Sequence, residues 1–218
     1  YRSCSKSISL DVLAGDLLGQ SRGLDFGLRD TRSNIAFANE DRVSGSDMAN
    51  VVCAYDYFND ALKNELEPLL ADPSGTYYPT RDPLCGTVDV DVQDTAQGMW
   101  FSDQNSTVND GEDEHMALAP HNVRATVQVF SIGNAIPTIE SDPYEFTPVT
   151  SGLVNRDFST VTNDGNVYCY EATNIDAIVS VFLLHLSDDE TLEIEGIEAT
   201  ECGSDPWSFT GSQTVFYR

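Results

Sequence analysis

Short apolar runs broken by turn residues, with almost no helical periodicity, fill most of the chain. Strict alternation marks the clearest strands. In Thr191-Leu-Glu-Ile-Glu195, Leu192 and Ile194 fall on one face and Glu193 and Glu195 on the other. In Ala125-Thr-Val-Gln-Val-Phe130, the positions Ala125, Val127 and Val129 share a face. From Cys85 onward the pattern predicts strands over 98–102, 116–119, 124–132, 144–147, 152–158, 166–171, 177–186, 191–199 and 208–217. Asn109-Asp-Gly111 and Asn163-Asp-Gly-Asn166 are turn signals among them. Many short strands with no helix between them predict a barrel or a sandwich. The run Ala177-Ile-Val-Ser-Val-Phe-Leu-Leu184 reads as a buried strand, well short of the roughly 20 apolar residues of a membrane-spanning helix.

Before Cys85 the pattern is sparser. Strand-like runs occur at 7–13, 23–28, 34–37 and 51–54. Asn59 is placed to cap a helix whose Leu62, Leu66, Leu69 and Leu70 share a face, and Pro68 and Pro73 limit its length. The stretch Ala71-Asp-Pro-Ser-Gly-Thr-Tyr-Tyr-Pro-Thr-Arg-Asp-Pro83 has the composition of an ordered linker. The expected fold is therefore all-β, mainly antiparallel, with one short helix. It divides into a small β domain over 1–72, a linker over 73–84 and a larger β-barrel or β-sandwich over 85–218.

Charge changes the picture. The 218 residues carry 36 acidic against 11 basic side chains, a net charge of −25. Such a field repels nucleic acid and anionic membranes, so neither is an expected partner. Acidity of this kind serves solubility, or else it binds hard cations such as calcium through carboxylate oxygens. Asp89, Asp91 and Asp94 are the first calcium candidates, because alternation puts Asp89 and Asp91 on one face with Asp94 just beyond. Asp110, Glu112 and Asp113 are the second set. No glycine stands where an EF-hand loop requires one.

The five cysteines, Cys4, Cys53, Cys85, Cys169 and Cys202, form no CxxC pair, which excludes zinc-ribbon and thioredoxin-type motifs. Export would leave two disulfides and a fifth thiol that is free or intermolecular. Cys4–Cys53 is the favoured bond because both lie before the linker. The opening YRSCSKSISL reads as a processed product, and Asn105-Ser-Thr107 is a glycosylation sequon.

Two resemblances bear on function. Ala14-Gly-Asp-Leu-Leu-Gly19 followed by Gly23-Leu-Asp-Phe-Gly27 resembles the closing half of lysostaphin-type (LytM-like) zinc endopeptidases, over roughly residues 8–58. In that family the turn leads into a strand reading His-x-His-Phe, whose two imidazoles converge on zinc. Here the matching positions are Gly23 and Asp25, and no histidine precedes the linker. The resemblance thus implies a zinc-free, degenerate peptidase-like domain. The alternative is that Gly15 and Gly19 simply serve a tight turn capped by Asp16. The second resemblance is carried by Gly98-Met-Trp-Phe101, which is similar to the Gly-x-Trp opening strand of lipocalins. There the Trp closes one end of the barrel beneath an Arg of the last strand, and the positions matching that pair are Trp100 and Arg218. It implies an apolar ligand cavity in residues 85–218.

Other candidate chemistry is thin. Glu112-Asp-Glu-His115 and His121 read as a solvated acidic loop before they read as metal ligands. His185, between Leu184 and Leu186, reads as a satisfied core residue. Asp188-Asp-Glu190 reads as an exposed hairpin turn. No Gly-x-Ser-x-Gly is present, and Cys53 has no histidine within its own domain to activate it. The expected protein is a non-catalytic extracellular or cell-surface one, used for binding or as an assembly subunit. It needs no cofactor except, in the acidic reading, calcium. Its partners would be copies of itself or a cell-surface or glycan ligand. The alternatives are a lipocalin-like carrier of a small apolar molecule and, last, a hydrolase with a dispersed carboxylate site.

Overall fold

The computed structural model of the chain describes residues 7, 9–13, 15–17, 27–33, 35, 37–86, 88–133 and 136–218. Strands β1 (Leu28–Arg29) and β2 (Val51–Val52) form a small antiparallel pair. Helix α1 (Asp60–Leu66) begins where the Asn59 side chain accepts from the Leu62 N–H at 3.0 Å. Pro68, in the short 3-10 turn Glu67–Leu69 that follows, stops it. The helix buries none of its side chains, and Leu69 just beyond it is 71% exposed. The apolar face expected here is only partly covered: Leu66 and Leu70 are half-buried, and Leu62 and Leu69 are exposed.

Eight strands then close into one antiparallel barrel in chain order: β3 (Gly98–Phe101), β4 (His115–Pro120), β5 (Gln128–Ile132), β6 (Asp142–Phe146), β7 (Tyr168–Thr173), β8 (Val179–Asp188), β9 (Thr191–Ile197) and β10 (Thr214–Tyr217). The closure is narrow, because β10 joins β3 through a single ladder pair, Tyr217 with Phe101. Full closure removes the exposed sheet edges that an open sheet would have to protect.

The period of two decides what lies inside. Trp100, Met116, Leu118, Phe130, Ile132, Tyr144, Phe146, Tyr170, Phe182, Leu184, Leu186, Leu192, Ile194 and Phe216 form one buried cluster. At its centre Phe130 stacks on Phe182 with ring centroids 4.5 Å apart, and meets Tyr170 and Phe158 edge-on at 5.1 and 4.9 Å. Each such side chain contributes about 1.5–3 kcal/mol by leaving water. The barrel is thus filled by its own aromatics.

Phe158 comes from outside the strands. Residues 152–158, expected as a strand, instead form a plug held by isolated bridges from Val149 to Arg156 and from Val154 to Cys169. Gly152 and Asn155 take positive φ there, at 87° and 50°, which breaks the extended run. Asp157 then caps the short 3-10 turn Phe158–Thr160. Gln128, buried in β5, latches the plug. Its amide donates to Asp157 Oδ1 at 2.9 Å and its carbonyl oxygen accepts from the Phe158 N–H at 3.0 Å.

Two further expectations are corrected. The alternation at Ala125 and Val127 does not belong to a strand, because the Val127 N–H closes a turn on the Arg124 carbonyl and β5 starts only at Gln128. The last expected strand shortens to Thr214–Tyr217, because the chain before it folds as a strap over the outer face of β7 to β9. Trp207 and Phe209 of this strap pack on Val181 and Leu183, and a disulfide joins Cys202 to Cys169. Strand β8 is therefore apolar on both faces over residues 181–184, which explains its continuous apolar stretch there.

The other disulfide joins Cys53 to Cys85. This overturns the expected Cys4–Cys53 bond: the chain returns after α1 to bring the two Cα atoms within 5.9 Å, so the stretch expected as a linker lies inside a covalent loop. Cys4 lies outside the described residues. Among the described residues no helix is long and apolar enough to cross a membrane.

Candidate functional site at the barrel seam

The seam between β10 and β3 gathers the most specific chemistry. Trp100 is fully buried and donates its indole N–H to the Ala96 carbonyl at 2.9 Å. The Arg218 guanidinium lies over the Trp100 ring with its carbon 4.3 Å from the centroid. Its Nη2 donates to the carbonyls of Thr95 and Gln97 at 3.0 and 2.8 Å, while Nε and Nη1 have no partner among the described residues. Burial pulls the Arg218 pKa down, and the charges of Asp91, Asp94, Asp189 and Glu190 oppose that pull. The two positions expected to pair at the barrel end do pair.

Gly98 is required by this geometry. Its φ is +146°, and a Cβ there would sit 2.4 Å from Asp91 Oδ1 and 2.8 Å from Arg218 Nη2. The Asp91 carboxylate itself is committed to backbone. Oδ1 accepts from the Met99 N–H and Oδ2 from the Ala38 N–H, both at 2.8 Å. Residues 37–43 are pinned by this contact across the outer face of β3. Phe37 and Val43 are buried, and Arg42 lies over the Phe101 ring at 4.9 Å. Arg42 Nη1 donates to the carbonyls of Asp103 and Ser106, and Asn39 Nδ2 donates to the Arg218 carbonyl at 3.1 Å. One segment thus fastens both sides of a seam that the sheet alone holds by one pair.

Beside the seam opens a cleft of about 640 Å³. Asn39 and Arg42 line it from the pinned segment and Gln104 from the loop after β3. The turn between β8 and β9 contributes Asp188, Asp189, Glu190 and Thr191, and β10 contributes Tyr217 and Arg218. The Asp188 carboxylate accepts from the Glu190 N–H at 2.9 Å, and the Arg218 N–H donates to the Glu190 carbonyl at 3.0 Å, which sets the turn against the end of β10. Acidic and polar residues therefore dominate the lining, while the Arg42 and Arg218 side chains are buried in the seam. The turn was legible as exposed and acidic, but its position beside Arg218 depends on barrel closure.

The remaining candidates are scattered. Among the described residues no three His, Cys, Asp or Glu side chains are grouped to hold a metal. Asp89 Oδ1 accepts from the Asp91 N–H at 3.0 Å, burial pushes its pKa up, and Asp94 lies in a turn at φ +61°. Asp110 accepts from the Thr107 N–H and hydroxyl, which lower its pKa. Asp113 lines a second cleft, of about 340 Å³, on the outer face of β3 to β5, and the Glu112 side chain lies outside the described atoms. His115 Nε2 meets the Thr107 carbonyl at 2.8 Å. His121 Nδ1 accepts from the N–H groups of Val123 and Arg124, both at 3.0 Å, which requires a neutral ring; burial and the Arg124 charge lower its pKa. His185 is not a core residue. Alternation places it on the outer face opposite Glu193, with Nδ1 3.0 Å from Glu193 Oε2, and this contact holds the Glu193 pKa down.

Gly23 and Asp25, the positions matching the peptidase zinc ligands, lie outside the described residues. Compared with known proteins, the chain matches no family model, no curated sequence and no solved structure.

Proposed function

We propose that this chain is a non-catalytic binding module that acts outside the cell, with the barrel as scaffold and the seam cleft as its recognition surface. The observation that carries this reading is the filled interior. Phe130, Phe146, Phe158, Tyr170 and Phe182 interlock at ring distances of 4.5–5.7 Å, so a ligand meets the outside of the barrel first. Two disulfides support an oxidising, extracellular setting.

One observation favours the second reading, a carrier of a small apolar molecule. The Tyr170 hydroxyl is buried in the barrel without a hydrogen-bond partner, which a ligand acceptor would supply. The two readings separate on titration with an apolar probe such as 1-anilinonaphthalene-8-sulfonate, followed by NMR. The binding-module reading expects the Trp100 indole N–H resonance to stay in place. Its progressive shift, together with those of the Phe130 and Phe182 rings, would establish interior binding and overturn the proposal.

A further inference from the structure

We propose that Asn105 is an acceptor for an N-linked glycan, an assignment that rests on reading the chain as one that acts outside the cell. Of the thirteen asparagines, Asn105 alone is followed two residues on by Ser or Thr, in Asn105-Ser-Thr107. An acid, Asp103, stands two positions before it. The motif is therefore the longer Asp-x-Asn-x-Thr, which chance meets less often than Asn-x-Ser/Thr. The acid gives a transferase a second handle, and some oligosaccharyltransferases require one there. Two disulfides support passage through an oxidising compartment of the export route, where such transfer takes place.

The fold presents this motif outward. Residues 103–106 form a turn in the loop between β3 and β4, closed by the Ser106 N–H on the Asp103 carbonyl at 3.3 Å. Asn105 is exposed, and its Nδ2 makes a long contact, 3.3 Å to Asp103 Oδ1, which water replaces at little cost. The loop backbone is fastened from beneath. Arg42 Nη1 donates to the Asp103 and Ser106 carbonyls, and the Val108 N–H donates to the Arg42 carbonyl at 3.0 Å. The Thr107 N–H donates to Asp110 Oδ2 at 2.6 Å. The backbone thus faces the barrel and the acceptor faces water, so attachment displaces nothing from the core. The donor is an oligosaccharide carried on a lipid diphosphate. Asn105 Nδ2 attacks the anomeric carbon of its first sugar, a C–N bond forms, and the C–O bond to the diphosphate breaks. The lipid diphosphate leaves with that electron pair, and the amide gives up one proton to a base of the transferase. The attached glycan stands beside the seam cleft, because Gln104, its sequence neighbour, lines that cleft.

The test offers the native, oxidised chain to a purified single-subunit oligosaccharyltransferase and a lipid-linked oligosaccharide, followed by intact mass. The transferase is of the type that requires an acid two positions before the acceptor. The expected result is one glycan per chain, mapped to Asn105 by peptide sequencing and lost in Asn105→Gln and in Thr107→Ala. Asn109→Gln, in the same exposed loop, keeps the glycan and serves as the control. Transfer to the reduced, alkylated and denatured chain but not to the native one would show that the fold withholds Asn105. Transfer to neither would show that the motif is no acceptor, and either result overturns the proposal. Neither touches the reading of the chain as an extracellular binding module, because the transferase is supplied in vitro and the apolar-probe titration decides that reading.

Discussion

Among the described residues, the Tyr170 hydroxyl is the polar group in the barrel's aromatic centre that lacks a partner, and burial pushes its pKa well above the ordinary phenol value. An unsatisfied buried hydroxyl costs about 1–3 kcal/mol, so Tyr170→Phe should leave stability unchanged or raise it by up to about that amount in urea denaturation. A loss of stability would mean that something polar meets Tyr170 in the native state. Residues of this kind are hard to see in a sequence. Trp100 and Arg218 were legible, because a Gly-x-Trp opening and a terminal Arg form a pattern. The structural role of Asp91 was not legible, because its partners, the N–H groups of Met99 and Ala38, lie 8 and 53 residues away and leave no local trace. Gly98 was visible only as part of the motif, and its steric necessity emerges from Asp91 and Arg218 together.

Among the elements, the long strands were legible and the irregular pieces were not. β9 shows clean alternation, and β8 shows an apolar stretch over residues 181–184 whose outer cover, the strap with Trp207 and Phe209, could not be foreseen. The plug at 152–158 has strand-like composition but carries Gly152 and Asn155 at positive φ, a backbone choice that side-chain pattern does not reveal. The strap depends on its covalent anchor. Cys169 and Cys202 are separated by 33 residues, and replacing both by serine should cost about 3–4 kcal/mol through the freed unfolded chain. Trp207 emission should shift to the red below the unfolding transition as the strap leaves Val181 and Leu183, whereas an unshifted spectrum and unchanged stability would assign the strap's attachment to packing alone.

For the whole molecule, the sequence narrowed the architecture to a barrel or a sandwich, and closure decided between them. That decision rests on two single-pair junctions, Tyr217 with Phe101 and Glu145 with Thr173, and on the pinned residues 37–43, all long-range features. Net charge acts at the same scale. With −25 on 218 residues, mutual repulsion opposes compaction and general screening relieves it. Melting temperature should therefore rise with sodium chloride from about 0.01 to 0.2 M, as the screening length falls from about 30 Å to below 10 Å. Calcium chloride of equal ionic strength should give the same curve. A higher melting temperature in calcium would point to a specific site and restore the acidic candidates.

The Cys53–Cys85 bridge also has a mechanical meaning. Tension that frees residues 37–43 from the seam, or that enters the chain between them and residue 53, passes straight through the sulfurs to residue 85, bypassing the intervening loop with its helix. The loop stores roughly 110 Å of extended chain. In an oxidising medium this length stays slack and unloaded, and whatever precedes the bridge is held to the barrel on a short, stiff leash. Reduction pays the loop out, and the same load would then meet a long, compliant tether.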